Sequence, residues 1–125
     1  MHVLIMEDDT FFQKFYSSKL TESGFQVTVA SDGEEGLAKL AQSRPDLILL
    51  DIIMPKKDGF DVLKAISVDH SLRTIPILVF STLGQEQDIQ KAKALGAYDY
   101  VNKSLLDYNV LLTKVNQVVS MLKKS

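Results

Sequence analysis

The sequence predicts an α/β protein built on a doubly wound parallel sheet, and three observations carry the prediction. Five short apolar runs, rich in β-branched residues, alternate with five helical patterns. The runs Val3-Leu4-Ile5-Met6 and Leu47-Ile48-Leu49-Leu50 are apolar at every position rather than at every second one. A strand apolar on both sides must be covered on both sides, as in a parallel sheet between two helix layers. Finally, both runs end in acids, at Glu7-Asp8-Asp9 and at Asp51. Strand carboxyl ends are where such sheets carry their functional groups.

The elements follow in order. A strand over 3–6 leads to a helix whose stripe is Phe12, Phe15, Tyr16 and Leu20, with Asp9 a candidate cap and Ser23-Gly24 a stop. A strand over 25–30 precedes a helix marked by Leu37, Leu40 and Ala41 and closed by Pro45. The strand over 47–50 is followed by a helix that Asp58 caps and Val62, Leu63 and Ile66 stripe. A strand over 75–80 leads to Ile89, Ala92 and Leu95, stopped by Gly96. After a strand over 98–101, a last helix is expected from an Asp107 cap, with Leu111, Leu112, Val115, Val118, Val119 and Leu122 toward the sheet. At 100° per residue, Val110 and Met121 fall on its opposite side. Five β/α units suit the strand order 2-1-3-4-5, in which the first and third strands flank the point where the order reverses. These are the two strands that end in acids.

Composition narrows the function. The 125 residues contain no linker or repeat, so 1–125 is expected to be one domain. Fourteen basic against sixteen acidic residues give a net charge of −2, which argues against direct nucleic-acid binding. The absence of cysteine excludes disulfides, thiolate metal sites and thiol catalysis. Met1-His2-Val3 enters a strand without a charged leader and no apolar run is long enough to span a membrane, so a cytoplasmic protein is expected.

Acids ending two neighbouring strands repel one another unless a hard divalent cation lies between them, Mg²⁺ or Mn²⁺, which prefer carboxylate oxygen. One acid then remains free as an oxygen nucleophile. That is an arrangement for phosphoryl chemistry.

Glu7-Asp8, Asp51, Ser81 and Lys103, in that order after the first, third, fourth and fifth strands, give the chain its likeness. Over essentially its whole length it resembles the receiver domain of two-component response regulators. The resemblance implies a flavodoxin-like (βα)5 receiver fold with Asp51 as phosphoacceptor, attacking a phosphohistidine to give an acyl phosphate. It implies Asp8 as direct metal ligand, Glu7 as ligand through water, and the Ile53 backbone carbonyl as a third contribution. Ser81 would donate to a phosphoryl oxygen, Lys103 would neutralise one, and Tyr100 would change rotamer with phosphorylation. The implied partners are a histidine kinase or phosphotransfer protein, a downstream output domain or protein, and a homodimer that depends on phosphorylation. The surface of the fourth helix, fifth strand and fifth helix would carry the signal. Such a domain promotes its own phosphorylation and dephosphorylation and is not an enzyme in the usual sense.

Each residue also has a plainer reading. Asp51, followed by Pro55 and Asp58-Gly59, can simply shape a turn; the acidic loop can simply cap a helix; Lys103 can be a surface lysine. Ser81 and Thr82 are adjacent hydroxyls that periodicity does not separate, and only the resemblance selects Ser81. Tyr98 shares a strand face with Tyr100 at period two, so both can be packing. One departure stands out: Ser104 follows Lys103 where receivers commonly have a proline in a cis peptide, and a trans bond is expected here. Three alternatives compete. A haloacid-dehalogenase-type phosphatase needs an Asp two residues after its nucleophile, and this chain has Ile53. A flavin site needs a phosphate cradle in the first loop, where Glu7-Asp8-Asp9 stands. A receiver-like interaction module that takes no phosphate would not need every reactive group.

Overall fold

The computed structural model describes residues 1–82, 84–103 and 108–123. These form β1 (His2–Met6), α1 (Thr10–Glu22), β2 (Gln26–Ala30), α2 (Gly33–Gln42), β3 (Leu47–Leu50), α3 (Gly59–Ser67), β4 (Ile77–Ser81), α4 (Glu86–Ala94), β5 (Asp99–Asn102) and α5 (Tyr108–Lys123). The strands make one parallel sheet in the order β2-β1-β3-β4-β5. This is the expected α/β topology.

Strand alternation divides the core into two layers. Leu4, Met6, Ile48, Leu50, Ile77 and Val79 face one way and pack with Leu40, Val62, Leu63, Ile66 and Ala92 of α2, α3 and α4. Val3, Ile5, Leu47, Leu49, Leu78 and Phe80 face the other way, against Tyr16, Leu20, Leu111, Val115 and Val118 of α1 and α5. Both sides of β1, β3 and β4 are therefore dry, which is why their runs lack polar alternation.

Local chemistry fixes the helix starts. Asp9 caps α1, its carboxylate accepting from the amides of Phe11 at 2.8 Å and Phe12 at 3.2 Å. Asp32 does the same for α2. Asp58 forms a reciprocal capping box with Asp61 at the start of α3. A Cβ on Gly59 would lie 2.5 Å from the Asp51 carbonyl oxygen, so only glycine lets this helix abut the loop after β3.

Three strand starts fall later than the sequence suggests. Phe25 is taken up by the end of α1, its amide bonding the Leu20 carbonyl. Pro76 has no amide to give the ladder, and β4 begins at Ile77. Tyr98 precedes β5 and is 42% exposed, whereas Tyr100 is only 9% exposed, so the two rings do not pad one edge together. On α5, Leu111, Val115 and Val118 are buried while Val110 and Met121 are exposed, as the periodicity predicts. Leu112, expected toward the sheet, is only partly buried. Leu83, Ser104 and the Asp107 cap lie outside the described residues, and with them the Lys103–Ser104 peptide. Among the described residues no helix is long and apolar enough to cross a membrane.

Candidate functional site

The register of the central strands builds the site. Met6 pairs with Leu50, so the chain leaves β1 and β3 side by side and the next residues, Glu7 and Asp51, become neighbours. The Asp51 amide bonds the Met6 carbonyl at 3.0 Å and the Glu7 amide bonds that of Ala30 at 2.9 Å, which holds both acids at the sheet's edge. Glu7, Asp8 and Asp51 each present a carboxylate oxygen within 4.8 Å of the others. Glu7 and Asp51 are buried, at 0% and 3% exposure; Asp8 is open to solvent.

Lys103, directly after β5, closes the group from the other side. Its ammonium donates to Asp51 Oδ2 at 2.9 Å and to Glu7 Oε1. It also stands 4.4 Å from the centroid of the Phe12 ring and 5.1 Å from that of Phe80. Asp51 Oδ1 accepts weakly from the Ile53 amide at 3.3 Å, and Glu7 Oε2 accepts from the Asp9 amide at 3.1 Å. The Ile53 side chain is exposed beside them.

The electrostatics show a shortage of positive charge. Burial pushes the Glu7 carboxyl up to about 7; the Lys103 hydrogen bond opposes this, the Asp51 charge adds to it, and the Asp9 amide and Lys103 charge oppose it. Tyr16, behind the site, is pushed up to about 12 by burial and by the charge of Glu7. One ammonium thus bonds two buried carboxylates, with the Asp8 carboxylate close by. The donor set is all hard oxygen with one ligand open to water, so the residues present fit a Mg²⁺- or Mn²⁺-sized ion.

Ser81 ends β4, fully buried, while Thr82 beside it is exposed. Tyr100 lies on the α4 side of the sheet and hydrogen-bonds Ser81. Its phenol is pushed above the ordinary value by burial; the Ser81 hydrogen bond opposes, and the charges of Asp88 and Asp51 add to the rise. The structure therefore brings Glu7, Asp8, Asp51 and Lys103 into one group and links Ser81 to Tyr100 next to it. Sequence reasoning missed Phe12 and Phe80, which it assigned to packing alone. The available signal was Phe12's place in the first turn of α1, three residues after the Asp9 cap.

Residues 3–116 match the response regulator receiver domain family. Among curated relatives, the chain is 37% identical over 117 residues to the DNA-binding dual master transcriptional regulator RpaA of Synechocystis, covering 94% of this chain and 48% of RpaA. It is 33% identical to Protein PilH of Pseudomonas aeruginosa, covering 94% of this chain and 97% of PilH. It therefore spans about half of the first relative and nearly all of the second. Among solved structures, chemotaxis protein CheY4 of Vibrio cholerae superposes with a TM-score of 0.87 at 32% identity, covering 94% of this chain and 97% of that one. The chain belongs to the response regulator receiver domain family.

Proposed function

We propose that residues 1–125 form one phosphoacceptor domain of a two-component relay and that Asp51 is its phosphorylation site. The observation that supports this most directly is a buried carboxylate at a strand end, 2.9 Å from Lys103 and within ligand range of Glu7 and Asp8. The donor is a phosphohistidine of a histidine kinase or phosphotransfer protein. An Asp51 carboxylate oxygen attacks phosphorus, the P–N bond breaks, and its electron pair returns to the imidazole. Lys103 moves its hydrogen bond from the Asp51 carboxylate to a phosphoryl oxygen, and Ser81 donates to another. Asp8 and Asp51 would hold Mg²⁺ or Mn²⁺, with Glu7 contributing through water and Ile53 through its carbonyl. The bound ion supplies positive charge for the phosphoryl oxygens.

Tyr100 is the natural readout, since Ser81 is its hydrogen-bond partner and both belong to the strands beside α4. Turning Ser81 toward a phosphoryl group changes what Tyr100 bonds and so the face of α4, β5 and α5. On that face Val110 and Met121 are exposed, where an output domain, a separate protein or a second copy would dock. A cytoplasmic signalling domain that promotes its own phosphorylation and hydrolysis, without acting on other substrates, fits this role.

Intact-mass measurement after exposure to a small acyl-phosphate donor tests the reading. The parent protein should gain one phosphate with Mg²⁺ and none with the metal chelated, and Asp51→Asn should gain none. Equal gain by parent and Asp51→Asn overturns it.

A further inference from the structure

The ammonium of Lys103 has two kinds of partner. Glu7 and Asp51 are ionic, and both belong to the acidic group suited to a divalent cation. Their hold on the ammonium changes with the state of the site. A dication beside them repels Lys103, and phosphorylation of Asp51 moves negative charge from that carboxylate to the phosphoryl oxygens. The rings of Phe12 and Phe80 are neutral, so their attraction for the ammonium does not depend on the charge of the carboxylates.

The Phe12 ring is well placed for such a role. A cation within about 6 Å of a ring centroid is attracted by the negative face of the π system, more strongly where water is excluded. Phe12 lies at 4.4 Å, and the Lys103 side chain is 3% exposed. The ring is itself held on several sides. It stacks on Tyr16 with centroids 6.2 Å apart and planes 18° apart, and it meets Phe11 edge-on at 5.5 Å. Tyr16 in turn meets Phe80 edge-on at 5.1 Å. Its backbone is fixed by the Asp9 cap.

We propose that Phe12 is a positioning residue whose π face keeps the Lys103 ammonium beside Asp51 while the charge on the surrounding carboxylates changes. This rests on the proposed role of Asp51 and deepens it. Phe80 shares the contact but is fully buried in the core, so its replacement would disturb packing as well. Phe12 is half-buried and can be changed more cleanly.

Fluorination separates electrostatics from shape, because it weakens the negative ring face while nearly keeping the ring's size. Mono-, di- and trifluorinated phenylalanine at position 12 are compared with the parent, Phe12→Tyr and Phe12→Leu. The first readout is the rate of Asp51 phosphorylation by a small acyl-phosphate donor at saturating Mg²⁺. The second is the upfield ring-current shift of the Lys103 ε-methylene protons, with and without Mg²⁺. Phe12→Leu should be about tenfold slower, within the range expected for a desolvated cation–π contact. Phe12→Tyr should keep the parent rate, and each added fluorine should lower it. The upfield shift should persist in the Mg²⁺-loaded parent and fall in Phe12→Leu to the smaller share left by Phe80. Equal rates across the fluorinated series, or loss of the shift when the parent binds Mg²⁺, overturns the positioning role. If the parent takes no phosphoryl group, the phosphoacceptor reading fails, and the ring-current shift alone decides whether Phe12 holds Lys103.

Discussion

Lys103 Nζ lies 2.9 Å from Asp51 Oδ2, although 52 residues separate the two in the chain. Glu7 shares the same ammonium, so a single cation compensates two buried carboxylates. Removing it should be costly. Lys103→Met should lose about 3–5 kcal/mol of stability where both acids are ionised, the usual result of stripping a buried charge of its partner. The loss should shrink in acid, because a proton can then neutralise Glu7. Urea unfolding of parent and variant at about pH 8 and about pH 5 measures this. An equal loss at both would mean that the ion pair contributes little.

Asp8 and Asp9 are adjacent yet should behave differently. Asp8 belongs to the carboxylate group, whereas the Asp9 carboxylate is occupied with the amides of Phe11 and Phe12. In Mg²⁺ titrations Asp8→Asn should bind much more weakly and Asp9→Asn nearly as the parent. Asp9→Ala should instead lose about 1 kcal/mol of stability through the missing cap. Comparable losses of metal affinity in the two Asn variants would place the ligand register one residue off.

Glu7 should make metal binding sensitive to pH. Its carboxyl is raised from 4.5 to about 7, so the folded protein holds this proton more tightly than the unfolded chain does. The corresponding stabilisation is present at low pH and is lost as pH rises through that interval. A cation in the group competes with the proton, with Asp8, Asp51 and Lys103 the other charges facing it. Apparent Mg²⁺ affinity should therefore climb between about pH 5 and about pH 7 and flatten above the Glu7 value. Glu7→Gln should lose most of that climb. A parent protein whose affinity is constant over this range would refute the coupling.

Ile53 is 51% exposed beside Asp51 and offers a hydrolytic water no hydrogen-bond partner. An acyl phosphate on Asp51 should accordingly be long-lived, since hydrolysis needs a water held in line with phosphorus. Ile53→Asn supplies a partner and should speed the loss of phosphate several-fold. Decay of the phosphorylated species, followed by mass, tests this; an unchanged or slower decay speaks against it.

Much of the fold was legible because its signals are local. Unbroken apolar strands, Asp9 and Asp58 as caps, and Gly24 and Gly96 as stops at positive φ each act within a few residues. The acids at the ends of β1 and β3 were legible because sheet order makes them neighbours. The choice between Ser81 and Thr82 was not, since every residue of β4 is buried and its pattern carries no phase. Tyr98 misled because period two holds only inside a ladder, which begins one residue later. Phe12 was hidden for another reason: at helix spacing a ring that packs and a ring that faces a lysine look alike, and Lys103 arrives from the far end of the chain.

Borohydride reduction of the phosphorylated protein bears most directly on the central claim. The reagent attacks an acyl phosphate at its carbonyl carbon and converts the modified aspartate to homoserine. After treatment with an acyl-phosphate donor and Mg²⁺, peptide sequencing by mass spectrometry should find homoserine at position 51 and aspartate unchanged at positions 8 and 9. Homoserine at position 8 or 9, or at none of the three in a protein that has gained phosphate, would contradict Asp51 as the phosphoacceptor.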